Sequence, residues 1–399
     1  DILSAVSKSL RNMPSCTGFG TPDGFIDTDV CVKVSWTLKE SDGLLPAGYE
    51  VAYDQIVLYE APASAFNAGS AAVNDIVNAE ETSSQAVFSG QFIYEKTMEG
   101  DRVSAWKAVF DKNTGALSSY VVGGVETLKE PLMPSFGRAV VENDMGADFQ
   151  NRFKMWRYPE FKVASFNVEK SSDHYVVTTE YAPFGKVCSV TMTYEIHPDG
   201  AIVAREKMND KGELGKAPCL FRFGMKLAMP GEFSTLDFYG LGPWDNYCDR
   251  KSAALLGHYL QRVQDQYWYG YVRTQESGTK SDLRWLKVLS SSGTGIEITS
   301  DARFSGSALP FSQKQMDSAL SDPRPRKNPT NQQAGEATHS LELLPLAHND
   351  ARSLGTTYVN FDLKEMGVGG TDSWGRWPLE PYLVRPAEYE FNFVIRPVK

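Results

Sequence analysis

The sequence predicts an all-β protein, a sandwich of antiparallel strands, and three observations carry that prediction. Apolar and polar residues alternate over short runs, turn-forming residues separate those runs, and helical periodicity is confined to short stretches. Val30 to Leu38 (VCVKVSWTL), His174 to Ala182 (HYVVTTEYA) and Cys188 to Ile196 (CSVTMTYEI) alternate because successive strand residues point to opposite faces. Between such runs, Asp111 to Gly115, Gly123-Gly124, Pro198-Asp199-Gly200 and Ser292-Gly293 supply residues that tolerate positive φ, as hairpin connections require. No period of roughly 20–50 residues repeats, which argues against solenoids and propellers.

The chain's 399 residues suffice for one large β domain and a smaller one, each with a core of its own. Hydrophobic residues make up 42% and aromatic residues 12%, yet no apolar run approaches bilayer length, so a soluble protein rich in Tyr and Trp is expected rather than a membrane span. The net charge of -10 repels the phosphate backbone that a nucleic-acid binder must neutralise. Cys16, Cys31, Cys188, Cys219 and Cys248 are widely spaced and odd in number, which reads as isolated buried thiols rather than a disulfide framework or a zinc knuckle. The sequence opens on Asp1 with no signal-peptide pattern, as a processed or excised piece would.

Residues 61–84 are rich in Ala, Ser and Asn and poor in aromatics, so they have little apolar surface to bury and read as a linker. That divides the chain into a small module at 1–60 and one sheet-packed body at 85–399. Within the body, Asp322 to Gly335 carries three prolines among charged and amide residues and reads as a mobile loop.

The chemistry has no standard signature. HExxH, GxSxG, GxxxxGK and GxGxxG are all missing, and His174, His197, His258, His339 and His348 show no i, i+4 pair that would place two imidazoles on one helix face. Three segments concentrate turn formers, aromatics and charges. Gly240 to Lys251 offers Trp244, Asn246 and Tyr247 as a sugar platform, or Asp249 and Arg250 as an ion-paired clasp on an irregular loop. Arg138 to Gly146 sets Glu142, Asn143 and Asp144 together, either as oxygen ligands for a hard cation such as calcium or as turn and helix caps. Gly367 to Trp377 combines four glycines with Trp374 and Trp377, suited to stacking on a pyranose or to packing under a Gly-rich turn.

In this order the segments resemble the C-terminal region of glycoside hydrolase family 2 β-galactosidases. The resemblance runs through Leu45 to Glu50 with Gln55, Phe110 to Ser118, Arg138 to Gly146, Gly240 to Arg250, Gln275 to Gly278, Arg284-Trp285 and Gly367 to Trp374. It implies a partial immunoglobulin-like β-sandwich at 1–60, with Asp1 to Gly24 unmatched, followed by a large antiparallel supersandwich similar to galactose mutarotases. In that family the catalytic glutamates belong to a barrel with no counterpart here, so the resemblance implies no catalytic residue and no metal ligand in this chain. It does imply one contact with substrate. Trp374, on the family's C-terminal loop, would stack on the aglycone sugar, although Thr371 stands where the family more often has a second acidic residue; Trp377 is then structural.

The implied partners are a galactoside and the catalytic barrel, in a bacterial enzyme of cytoplasm or periplasm that assembles as a homo-oligomer, with any Mg or Ca belonging to the full enzyme. Two other classes fit the same residues. An independent carbohydrate-binding module needs several aromatics and amides converging on one face, and an aldose epimerase needs a His and a Glu facing each other across a pocket.

Overall fold

The computed structural model describes residues 29–62, 73, 76–184, 186–317, 355–372 and 375–399, and it divides into two compact units between Ala65 and Phe66. Every strand pairing among these residues is antiparallel, and helices are short. The class is therefore all-β.

The first unit presents a two-stranded sheet, β1 (Val30–Thr37) against β2 (Glu50–Tyr59). Asp1 to Gly24 lies outside the described residues.

The second unit begins earlier than composition implied. Val77 is buried in the main core and β3 (Asn78–Glu81) pairs with β4 (Gln85–Thr97), so the end of the expected 61–84 linker is an edge strand. An edge strand needs backbone hydrogen bonds more than apolar side chains, which is why its sequence looked like a linker. With β5 (Gly100–Asp111), β6 (Ala116–Val122) and β7 (Val125–Glu126), these strands form a five-stranded sheet.

A twelve-stranded sheet makes up the rest: β8 (Glu130–Ser135), β9 (Val163–Lys170), β10 (Tyr175–Tyr181), β11 (Cys188–Ile196), β12 (Ile202–Asp210), β13 (Arg222–Pro230), β14 (Thr235–Gly242), β15 (Leu255–Arg262), β16 (Lys280–Leu289), β17 (Gly295–Leu309), β18 (Thr356–Glu365) and β19 (Glu390–Val398). One strand forks it. The first half of β17, Gly295 to Ser300, pairs with β19, while Ser305 to Leu309 pairs with β18, so the sheet splits into a β19-β12-β11-β10-β9 path and a β18-β13-β8 branch. The last strand, β19, lies between β17 and β12.

Aromatic side chains fill the core. Phe136 stacks on Phe223 with ring centroids 5.9 Å apart and meets Trp156, Phe161 and Phe184 edge-on. The five-stranded sheet is fastened to the β11–β12 turn, because Trp106 donates from Nε1 to Pro198 O (3.0 Å) and Tyr120 donates to Gly200 O (2.8 Å). At Gly200, whose φ is 86°, a Cβ would lie 2.8 Å from the Trp106 indole, so that close approach requires glycine.

The described cysteines are free thiols, Cys188 and Cys219 buried, Cys31 and Cys248 partly so. Asp322 to Gly335 falls outside the described residues.

Candidate functional site

The three segments singled out in the sequence meet at the end of β18. That strand pairs with β13 in a register that sets Arg222 opposite Glu365, and the chain then leaves the sheet as Met366 to Gly370. Backbone bonds hold its first two residues: Met366 N–H donates to Phe221 O (2.8 Å) and Gly367 N–H to Tyr382 O (2.9 Å).

Side chains from the other two segments grip Met366 to Gly369. Asp249 accepts from Val368 N–H (3.0 Å) and Gly369 N–H (2.8 Å). Arg138 donates to Met366 O and to Gly367 O (3.1 Å), and Asn143 Nδ2 donates to Val368 O (3.3 Å). A Cβ at Gly367 would overlap the Asp249 carboxylate, so this grip needs glycine there. The far end of the loop is held as closely. Gly375, with φ of 84°, packs against the Gly146–Ala147 backbone so tightly that a Cβ has no room, and Arg376 N–H donates to Asp372 (3.2 Å).

Under the loop lies a buried ionic network. Arg138 pairs with Asp144 (3.1 Å), and Arg222 pairs with Glu365 (3.0 Å), Asp362 (3.2 Å) and Glu276 (3.6 Å). All six residues are buried. Two guanidinium groups cannot balance four carboxylates in a low dielectric, so protons are retained. Burial pushes Glu276 up to about 8 against the pull of Arg222, and it lifts Asp362 well above the carboxylate range. Burial likewise raises Asp144 despite Arg138. Burial also works against the charge of both arginines, but the surrounding carboxylates outweigh it and hold both guanidinium groups above their usual value.

Residues 102–395 match the family model described as "Beta galactosidase small chain". The chain belongs to that family. The β-galactosidase of Priestia megaterium is 28% identical over 376 residues, 93% of this chain but 32% of that protein. That of Lactobacillus delbrueckii subsp. bulgaricus is 30% identical over 277 residues, 68% of this chain and 24% of that protein. The chain thus spans about a third of the length of the first of these relatives. Among solved structures, galactose 1-epimerase from Lactobacillus acidophilus NCFM covers 77% of this chain and 98% of its own at 8% identity, with a TM-score of 0.35, too low to argue from.

Within the small chain, Trp374 lies outside the described residues, whereas the clamp on either side of it is described. Trp377 is structural: its indole meets Phe149 and Phe153 edge-on at 4.8 and 5.6 Å. The expected Asp249–Arg250 clasp is corrected. Arg250 pairs with Asp245 (3.2 Å) and covers the Tyr247 ring, leaving Asp249 for the loop amides, because two adjacent residues at a bridge turn point apart. Asn246 is buried and structural, donating to Leu241 O and Trp244 O and accepting from Ser281 N–H.

Asp144 caps rather than waits for a cation: it accepts from Val141 N–H (3.0 Å) at the start of α1 (Glu142–Gly146), and Arg138 holds the same oxygen. His174 and His197 stack on each other with centroids 5.0 Å apart, and His258 is exposed beside Asp237. Sequence reasoning did not single out Arg222, Asp362 or Glu365. Their signal was present, since a charge flanked by apolar strand residues, as in Leu220-Phe-Arg-Phe223, is buried and therefore paired.

Proposed function

We propose that this small chain is the non-catalytic C-terminal part of a glycoside hydrolase family 2 β-galactosidase, which hydrolyses terminal non-reducing β-D-galactose residues. Its contribution is to hold Trp374 so that the indole stacks on the aglycone sugar at the mouth of the catalytic barrel. The observation that carries this reading is the double clamp, with Asp249, Arg138 and Asn143 at one end of the loop and Gly375 against Gly146 at the other. Such a clamp fixes a short loop without using its tip, and stacking depends on where a ring is held.

The chemistry itself is assigned to the barrel. A retaining glycosidase needs two carboxyl groups about 5 Å apart facing the glycosidic bond. The carboxylates gathered around Arg138 and Arg222 are buried and tied to guanidinium groups, closed to a glycoside. The galactoside, the barrel and further copies of the full enzyme are the partners in this reading, and any Mg or Ca belongs to the full enzyme.

The test is hydrolysis of a chromogenic β-galactoside by the purified chain beside the full-length enzyme. The chain alone gives no turnover, and Trp374→Ala in the full-length enzyme raises KM for lactose roughly tenfold, the value of one stacked ring. Turnover by the chain, lost on replacing one of its carboxylates, would overturn the reading.

A second reading, an independent carbohydrate-binding module, draws on Trp244 and Trp268, which are 72% and 57% exposed. Retention of the isolated chain on immobilised galactose would favour it.

A further inference from the structure

Behind the loop, on the other side of Glu365, a cavity of about 240 Å³ opens among β16, β17, β18 and the Pro381 to Val384 segment. It exists because β16 leaves its ladder. The β16–β17 register slips between Lys280 and Leu283 and again before Trp285, and Asp282 takes a φ of 51°, rare for a residue with a side chain. Such strain persists only where the surroundings impose it, and it gathers at ligand sites. Here Lys251 holds the Asp282 carboxylate at 2.7 Å, and Arg284 donates to the Asp282 carbonyl at 2.7 Å.

The lining is basic in an acidic chain. Lys251, Arg303 and Lys364 face Asp282 and Glu365, three positive charges against two negative, whereas the whole chain carries -10. Both carboxylates are already held by cations, Asp282 by Lys251 and Glu365 by Arg222 at 3.0 Å. Three lining donors make no hydrogen bond or ion pair among the described residues: the Lys364 ammonium, whose contact is with the Tyr389 ring at 5.1 Å, and the Ser305 and Tyr382 hydroxyls. Glu365 is held through Oε1 by Arg222, and its Oε2 is closed to solvent. Donors with positive charge suit an oxyanion.

We propose that this cavity binds a small oxyanion, hydrogen phosphate or the carboxylate of a sugar acid. Lys364, Ser305 and Tyr382 donate to the anionic oxygens. The site goes beyond the β-galactosidase reading and does not depend on it, because binding is measured on the chain without turnover.

The experiment is calorimetric titration of the 399-residue chain with inorganic phosphate, D-galactonate and D-galactose, paired with thermal unfolding in each. Phosphate or galactonate binds saturably and raises the unfolding temperature, galactose does neither, and binding weakens as ionic strength rises. Tighter phosphate identifies a phosphate site, and tighter galactonate a carboxylate site. Lys364→Gln and Ser305→Ala each weaken the better anion by at least about tenfold, while Lys207→Gln, an exposed lysine on β12, leaves it unchanged. The proposal is overturned if neither anion saturates, if galactose binds as tightly, or if the Lys207 variant loses as much as the Lys364 variant.

Discussion

β1 and β2 carry many apolar residues, as the strands of the large sheet do, but none of their side chains is fully buried. Val51, Tyr53 and Val57 project from one face and Trp36, Ile56 and Leu58 from the other, and all are exposed. In β11, by contrast, Cys188, Val190, Met192, Tyr194 and Ile196 are fully buried on one face. The difference teaches that alternation assigns residues to faces but does not bury them. Burial needs a second layer, and two strands supply none.

The comparison can be broken most sharply from the buried side. Arg138→Ala leaves Asp144 buried without its cation and Met366 O without its donor, and urea unfolding of the chain should lose about 3–5 kcal/mol. A smaller loss, roughly 1–3 kcal/mol, is expected for Gly375→Ala, which forces a Cβ against Gly146 in a left-handed conformation. Hydrogen exchange should then speed up at the amides of Val368 and Gly369, because the loop loses one of its two anchors.

The third prediction concerns pH. Glu276 keeps its proton in the folded chain up to about 8, whereas the unfolded chain releases it near the ordinary value of 4.5. Between those values the folded state binds the extra proton, so raising the pH favours unfolding, and the urea midpoint should fall from pH about 5 to about 8. Glu276→Gln should flatten that slope. Lys280, which burial brings down to about 8, acts in the opposite sense but only above that pH.

The smallest effect belongs to the small sheet. Tyr53→Ala should change the unfolding free energy of the isolated chain in urea by less than about 0.5 kcal/mol, since the ring is exposed. A loss as large as that of Arg138→Ala would erase the contrast between the two sheets.

Much of the large sheet was legible because its rules are local. β11 spans Cys188–Ile196 as its alternation predicts, and Gly115, Gly124, Gly200 and Gly293 all take positive φ in the turns where they were expected to. The edge strand β3 was not legible, since it is held by backbone pairing that composition does not report. At the site, the three segments could be read one by one, but not their convergence. Asp249 meets Val368 from 119 residues away, and nothing in the Asp249-Arg250 dipeptide says that its carboxylate is spent on distant amides rather than on its neighbour. Capping by Asp144 was readable, because its amide partner is three residues away.

The place of β19 bears on how the protein is made. Synthesis delivers Glu390 to Val398 after every other strand described here, yet they insert between β12 and β17. Until they emerge, a nascent chain carries two open edges, the facing sides of β12 and of the first half of β17, each able to pair with a neighbouring chain. Polypeptides stalled before Glu390 should therefore aggregate or recruit chaperones, while the same chain extended by nine residues closes its own sheet.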